Sequence, residues 1–144
     1  MTVTAAAAQP GPAGALAGVK VLVIDDSNTI RRSAEIFLLQ AGATVILAED
    51  GFDALAKIAD YQPEVVFVDI MMPRLDGYQT CALIKKNPKF AATPVVMLSS
   101  KDGLFDRARG RMVGSNEYLT KPFTKDSLLK TVGAHMRAGG SASH

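Results

Sequence analysis

Three short apolar runs punctuate the chain: Val19 to Asp25 (VKVLVID), Glu64 to Asp69 (EVVFVD) and Pro94 to Ser99 (PVVMLS). Each is nearly continuous in Val, Ile, Leu, Phe and Met instead of alternating, which is how strands covered on both faces of a parallel sheet read. Weaker strand candidates at Thr44 to Ala48 (TVILA) and Glu117 to Thr120 (EYLT) complete a set of five. Between them the period changes. Ile30, Ala34, Phe37, Leu38 and Ala41 recur at helical spacing with Arg31, Arg32 and Glu35 opposite, and Gly42 is placed to stop that helix. Similar stripes run through Phe52, Leu55, Ile58 and Ala59, through Tyr78, Cys81 and Ala82, and through Leu128, Val132 and Met136, with Thr124 as N-cap of the last. Leu104 to Val113 also reads as a helix, weakened by Gly103 and Gly110.

Strand followed by helix, repeated along the chain, predicts an α/β fold: a doubly wound five-stranded parallel sheet with helices on both faces, joined by right-handed crossovers. Ligands in such folds bind beyond the carboxyl ends of the strands. There the sequence places Asp25 and Asp26 after the first strand, Asp69 at the end of the third, Ser99 at the end of the fourth, and Lys121 and Pro122 after the fifth. Parallel strands bring these side chains to one edge. Two carboxylates 5 Å apart repel by about 3 kcal/mol at an effective dielectric near 20, and Lys121 offsets only part of the charge of three. A hard divalent cation such as Mg2+, which takes oxygen ligands and keeps several waters, suits the set, whereas the absence of His and Cys nearby argues against zinc. Asp76, just before Gly77 and the third helix, reads instead as a helix cap.

Composition narrows the function classes. The 144 residues carry 16 basic and 14 acidic side chains, a net charge of +2, with no basic tract that would favour nucleic acid. The single cysteine, Cys81, reads as a small buried hydrophobe and fits a reducing cytoplasmic setting. Residues 1–18 are uncharged and rich in Ala, Gly and Pro. They lack the basic start of a signal peptide and read as a disordered tail, as do residues 138–144, leaving 19–137 as one domain. That length leaves no room for a second catalytic or DNA-binding module, and no apolar run is long enough to span a membrane.

The motifs VLVIDDS (Val21 to Ser27), VFVDIMMPRLDGY (Val66 to Tyr78), PVVMLSS (Pro94 to Ser100) and YLTKPF (Tyr118 to Phe123) together resemble the CheY-like receiver domains of two-component response regulators. The resemblance covers residues 19–137 and implies the flavodoxin-like strand order 2-1-3-4-5. It implies that Asp69 is the phosphoryl acceptor. It further implies that Asp25, Asp26, Asp69 and the backbone carbonyl of Met71 bind Mg2+, that Ser99 and Lys121 contact the phosphoryl group, and that Ser99 and Tyr118 form the switch. The Lys121 to Pro122 bond is usually cis in this family. A receiver is a phosphorylated signalling domain and not a turnover enzyme. Its partners would be a histidine kinase and an effector that docks on the face of the fourth helix, fifth strand and fifth helix, here bearing Arg107, Arg111 and Tyr118. Surface wording such as SNTIRR, DGFDALAKI and LSSKDGLFDRARGRMVGSNEYLTKPF is similar to the single-domain regulators of type IV pilus twitching motility, implying a chemotaxis-like kinase upstream and a pilus or motility effector downstream.

Two positions individualise the chain. Met71, two residues after Asp69, and Lys101, two after Ser99, flank the route of hydrolytic water in receivers, which predicts slow loss of the phosphoryl group. Other readings compete: another chemotaxis-type regulator, a phosphate sink, an unphosphorylated scaffold, an aspartate-nucleophile phosphatase, or a nucleotide or flavin module. The phosphatase wants a second carboxylate where Met71 stands. A nucleotide module wants a Gly-rich loop where Asp26, Ser27 and Asn28 stand.

Overall fold

The computed structural model describes residues 14–100 and 104–143, with side-chain surroundings given for 14–100 and 107–136. Its elements run β1 (Lys20–Ile24), α1 (Asn28–Gln40), β2 (Thr44–Ala48), α2 (Gly51–Tyr61), β3 (Val65–Asp69), α3 (Gly77–Lys86), β4 (Val95–Ser99), α4 (Leu104–Met112), β5 (Glu117–Thr120) and α5 (Lys125–Ser143). The five strands form one parallel sheet in the order β2-β1-β3-β4-β5, as expected. Alternation along each strand splits the core in two. Val21, Val23, Val65, Phe67, Val96 and Leu98 face α1 and α5 through Ala34, Leu38, Leu128 and Val132. Leu22, Ile24, Val66, Val68, Val95 and Met97 face α2 and α3 through Ala54, Ile58, Cys81 and Ile84. Burial on both faces is why the central runs read as continuous.

Local chemistry sets the helix ends. The Ser27 hydroxyl caps α1 by accepting from Ile30 N–H at 3.3 Å. At its other end Gly42 takes φ +92°, and the Gly42 and Ala43 N–H groups return to the carbonyls of Leu39 and Leu38, so this glycine does stop the helix. Asp76 and Gln79 form a reciprocal capping box at α3, confirming Asp76 as a cap. Thr124 and Ser127 exchange backbone-to-hydroxyl bonds at the start of α5.

The structure departs from the sequence expectation in particular places. In α2 the buried stripe is Gly51, Ala54 and Ile58, whereas Phe52 and Ala59 are exposed. Leu16, expected in the tail, is buried against the α1 and α5 face, and its N–H donates to the Ala41 carbonyl at 3.0 Å. At the other end α5 continues past Arg137. Residues 1–13, Lys101 and Gly103 lie outside the described residues. Among described residues, no helix is long and apolar enough to cross a membrane.

Candidate functional site

The sheet register assembles the predicted residues. β3 ends on Asp69, which pairs with Leu98 of β4, and the next β4 residue, Ser99, pairs with Thr120 of β5. The Lys121 N–H then donates to the Ser99 carbonyl at 2.6 Å, and the Lys121–Pro122 bond is cis. On the other side of β3, β1 delivers Asp25, whose N–H is bonded to the Ala48 carbonyl of β2 at 3.2 Å. Asp25, Asp69 and Ser99 are all buried, while Asp26 is exposed at the rim.

Lys121 spans the cleft. Its Nζ lies 3.2 Å from Asp25 Oδ2 and 3.0 Å from Asp69 Oδ1. Asp25 is fixed from the opposite end, where its Oδ1 accepts from the Ser27 N–H at 2.8 Å, and Asp69 Oδ1 also accepts from the Met71 N–H at 3.4 Å. Burial pushes the Asp69 carboxyl up to about 6, helped by the charge of Asp25 and opposed by the hydrogen bond from Lys121. Burial works against the Lys121 ammonium, yet Asp69 and Asp25 together hold its pKa above the ordinary lysine value.

One carboxylate oxygen each from Asp25, Asp26 and Asp69 lies within 4.8 Å of the others. These are hard donors only, one on the solvent-facing rim, carrying more negative charge than a single ammonium offsets. That chemistry fits Mg2+ held by a few carboxylates plus water. The cleft can therefore present a buried carboxylate oxygen beside an ammonium and a hydroxyl, the requirements for receiving a phosphoryl group in line.

Of the remaining predicted residues, Met71 leaves its side chain 76% exposed beside the cleft, in a groove with Asp26, Met72, Pro73, Tyr78 and Arg109. Tyr118 is half-buried on β5 with the Arg107 guanidinium 5.1 Å from its ring centre. Arg107, Arg111 and Tyr118 share a recess with Ser115, Asn116 and Glu117. Cys81 is buried, and burial pushes its thiol up to about 11, consistent with a packing role. Sequence reading missed three features near the site. Arg109 lies over the ring of Tyr78 at 4.3 Å, Arg74 pairs with Asp50 at 2.7 Å, and Gly77 lies directly against the Asp69 backbone. Only the last had a local signal, a glycine at the first position of a helix.

Residues 21–133 match the family profile described as response regulator receiver domain. The chain is 69% identical over 119 residues to the protein PilG of Pseudomonas aeruginosa, an alignment covering 83% of this chain and 88% of that one. It is 37% identical to the response regulator MprA of a Mycobacterium species over 83% of this chain, and it spans about half, 51%, of MprA's length. Among solved structures, the chemotaxis protein CheY4 of Vibrio cholerae superposes with a TM-score of 0.78 at 34% identity, covering 81% of this chain and 97% of that one.

Proposed function

The chain belongs to the response regulator receiver domain family, and we propose that it accepts a phosphoryl group on Asp69 from a phosphohistidine of a chemotaxis-like kinase and signals by docking on an effector. The observation that carries this reading is the Lys121 ammonium bridging Asp25 and Asp69 at 3.2 and 3.0 Å, inside a cluster of three carboxylates. An Asp69 carboxylate oxygen attacks phosphorus as the bond from phosphorus to the histidine nitrogen breaks, and that nitrogen leaves with the electron pair. Lys121 stabilises charge on the phosphoryl oxygens, and the Ser99 hydroxyl donates to one of them. Asp25, Asp26, Asp69 and the Met71 carbonyl would hold Mg2+, which when bound supplies further charge neutralisation.

Drawing Ser99 toward the phosphoryl group makes room for Tyr118 to turn inward, changing the surface where Arg107 and Arg111 stand. A basic recess of that kind suits an acidic partner segment. The surface resemblance to twitching-motility regulators, with 69% identity to PilG, supports a pilus or motility effector and a cytoplasmic setting. Met71 beside the acceptor, with Lys101, slows hydrolytic loss of the signal. Incubation with Mg2+ and acetyl phosphate followed by intact-mass measurement tests the reading. A single phosphoryl adduct, lost in Asp69→Asn, is expected. No adduct with acetyl phosphate or phosphoramidate overturns it in favour of an unphosphorylated scaffold.

A further inference from the structure

The segment between β3 and α3 follows the acceptor directly and carries the backbone of Met71. It contains a tight turn in which the Leu75 N–H donates to the Pro73 carbonyl at 2.8 Å, with Arg74 at its centre at φ +67°. A three-residue turn of this kind with a left-handed central residue is uncommon and strained for a side chain larger than glycine. Such a conformation persists only where its surroundings hold it.

The Arg74 side chain reaches from this turn to the start of α2. Its guanidinium pairs with Asp50 Oδ2 at 2.7 Å and lies 5.3 Å from the ring centre of Phe52. Asp50 is in turn fixed, because its Oδ1 caps α2 by accepting from the Asp53 N–H at 2.8 Å. Next to it, a Cβ at Gly51 would lie 2.4 Å from Thr80 Oγ1 and 2.7 Å from Leu75 Cδ2, so the start of α2 is packed directly onto the turn and α3. Phe52, exposed and off the buried stripe of α2, presents its ring to the Arg74 guanidinium.

We infer that Arg74 is a positioning residue for the metal and phosphoryl site: clamped to Asp50 and Phe52, it sets the course of the segment between Met71 and Gly77. The inference rests on the Mg2+ reading of Asp25, Asp26, Asp69 and the Met71 carbonyl. With the Arg74 side chain 64% exposed, the ion pair adds little to stability. Its effect is to select one placement of the segment, and that placement sets where Met71 stands relative to the carboxylates.

Stability and metal affinity should therefore separate. Arg74→Gly removes the clamp and also the left-handed strain, while Asp50→Asn removes the charge but keeps a side chain able to cap α2. Calorimetric titration of the full chain with MgCl2 is expected to show the dissociation constant raised about tenfold in each variant. The double variant should be no worse than either single one, and thermal midpoints measured with chelator should match the wild type. Arg74→Lys should recover part of the affinity. Unchanged Mg2+ affinity in Arg74→Gly, beside a wild type that binds, overturns the inference alone. Affinity and thermal midpoint falling together in both variants also overturns it, in favour of a purely structural role. A wild type that takes up no more Mg2+ than Asp26→Asn overturns the site reading, and this inference with it.

Discussion

The α-carbon of Gly77 rests on the backbone of Asp69: a Cβ at Gly77 would lie 2.3 Å from the Asp69 carbonyl oxygen and 2.7 Å from Ile70 Cα. Both contacts are with backbone, which cannot swing aside as the end of a side chain could. Meanwhile the Gly77 N–H donates to the Ile70 carbonyl at 3.0 Å. The first turn of α3 thus sets the position of the acceptor from behind.

Gly77→Ala should destabilise the fold by about 1 to 3 kcal/mol, as overpacking against an immovable neighbour does, and should displace Asp69 enough to abolish the acetyl phosphate adduct. Urea unfolding and intact-mass measurement on the same sample check both parts. The comparison is Gly14→Ala, where a Cβ meets nothing within 4 Å.

The raised pKa of Asp69 makes the acceptor a source of pH-dependent instability. In the folded chain it titrates near 6, against an ordinary value of 3.8. Between those values the folded state holds a proton that the unfolded state has released, so stability falls as pH rises from about 4 to about 6 and stays reduced above. Without divalent ions, Asp69→Asn should be more stable than wild type by about 1 to 3 kcal/mol at pH 8. The gain should shrink as pH falls through about 6 and vanish near pH 4. Chemical denaturation across that range measures it.

Leu16 belongs to the domain and not to a tail. It is 4% exposed, packed with Val19, Val21, Leu38 and Ala41 on the α1 and α5 face. Leu16→Ala should cost about 2 kcal/mol in urea unfolding, at the lower end for a buried leucine because the site lies at the edge of the core.

The strands were legible because a strand buried on both faces must be apolar almost throughout, and the runs ending at Asp25, Asp69 and Ser99 satisfy that, whereas their order in the sheet came only from the resemblance of the motifs to receiver domains. The polar residues that interrupt the pattern, set where parallel strands must end, disclosed the cleft. Leu16 was hidden by its neighbours, since a lone leucine among Ala, Gly and Pro has no periodicity to reveal it. Phe52 was misplaced for the opposite reason. It fits a helical stripe in spacing, but the face of α2 that packs inward is the one carrying Gly51, Ala54 and Ile58, fixed by the close approach of Gly51 to Leu75 and Thr80. Long-range pairs such as Arg74 with Asp50 and Arg109 with Tyr78 leave no local signature, because each partner alone reads as a solvated charge or a core aromatic.

Asp69 and Ser99 are the last residues of neighbouring central strands, and Asp25 and Lys121 follow the ends of two more. The cleft therefore has no stability of its own apart from the sheet. Opening it from the side of Asp25, Asp69 or Ser99 requires fraying β1, β3 or β4, whose side chains are buried almost throughout. Any ligand that settles among these carboxylates therefore acts by mass action on the folding equilibrium of the sheet as well as on the segments that follow β1 and β3. The same residues that receive the signal thereby tie the persistence of the fold to occupancy of a few oxygen atoms at its edge.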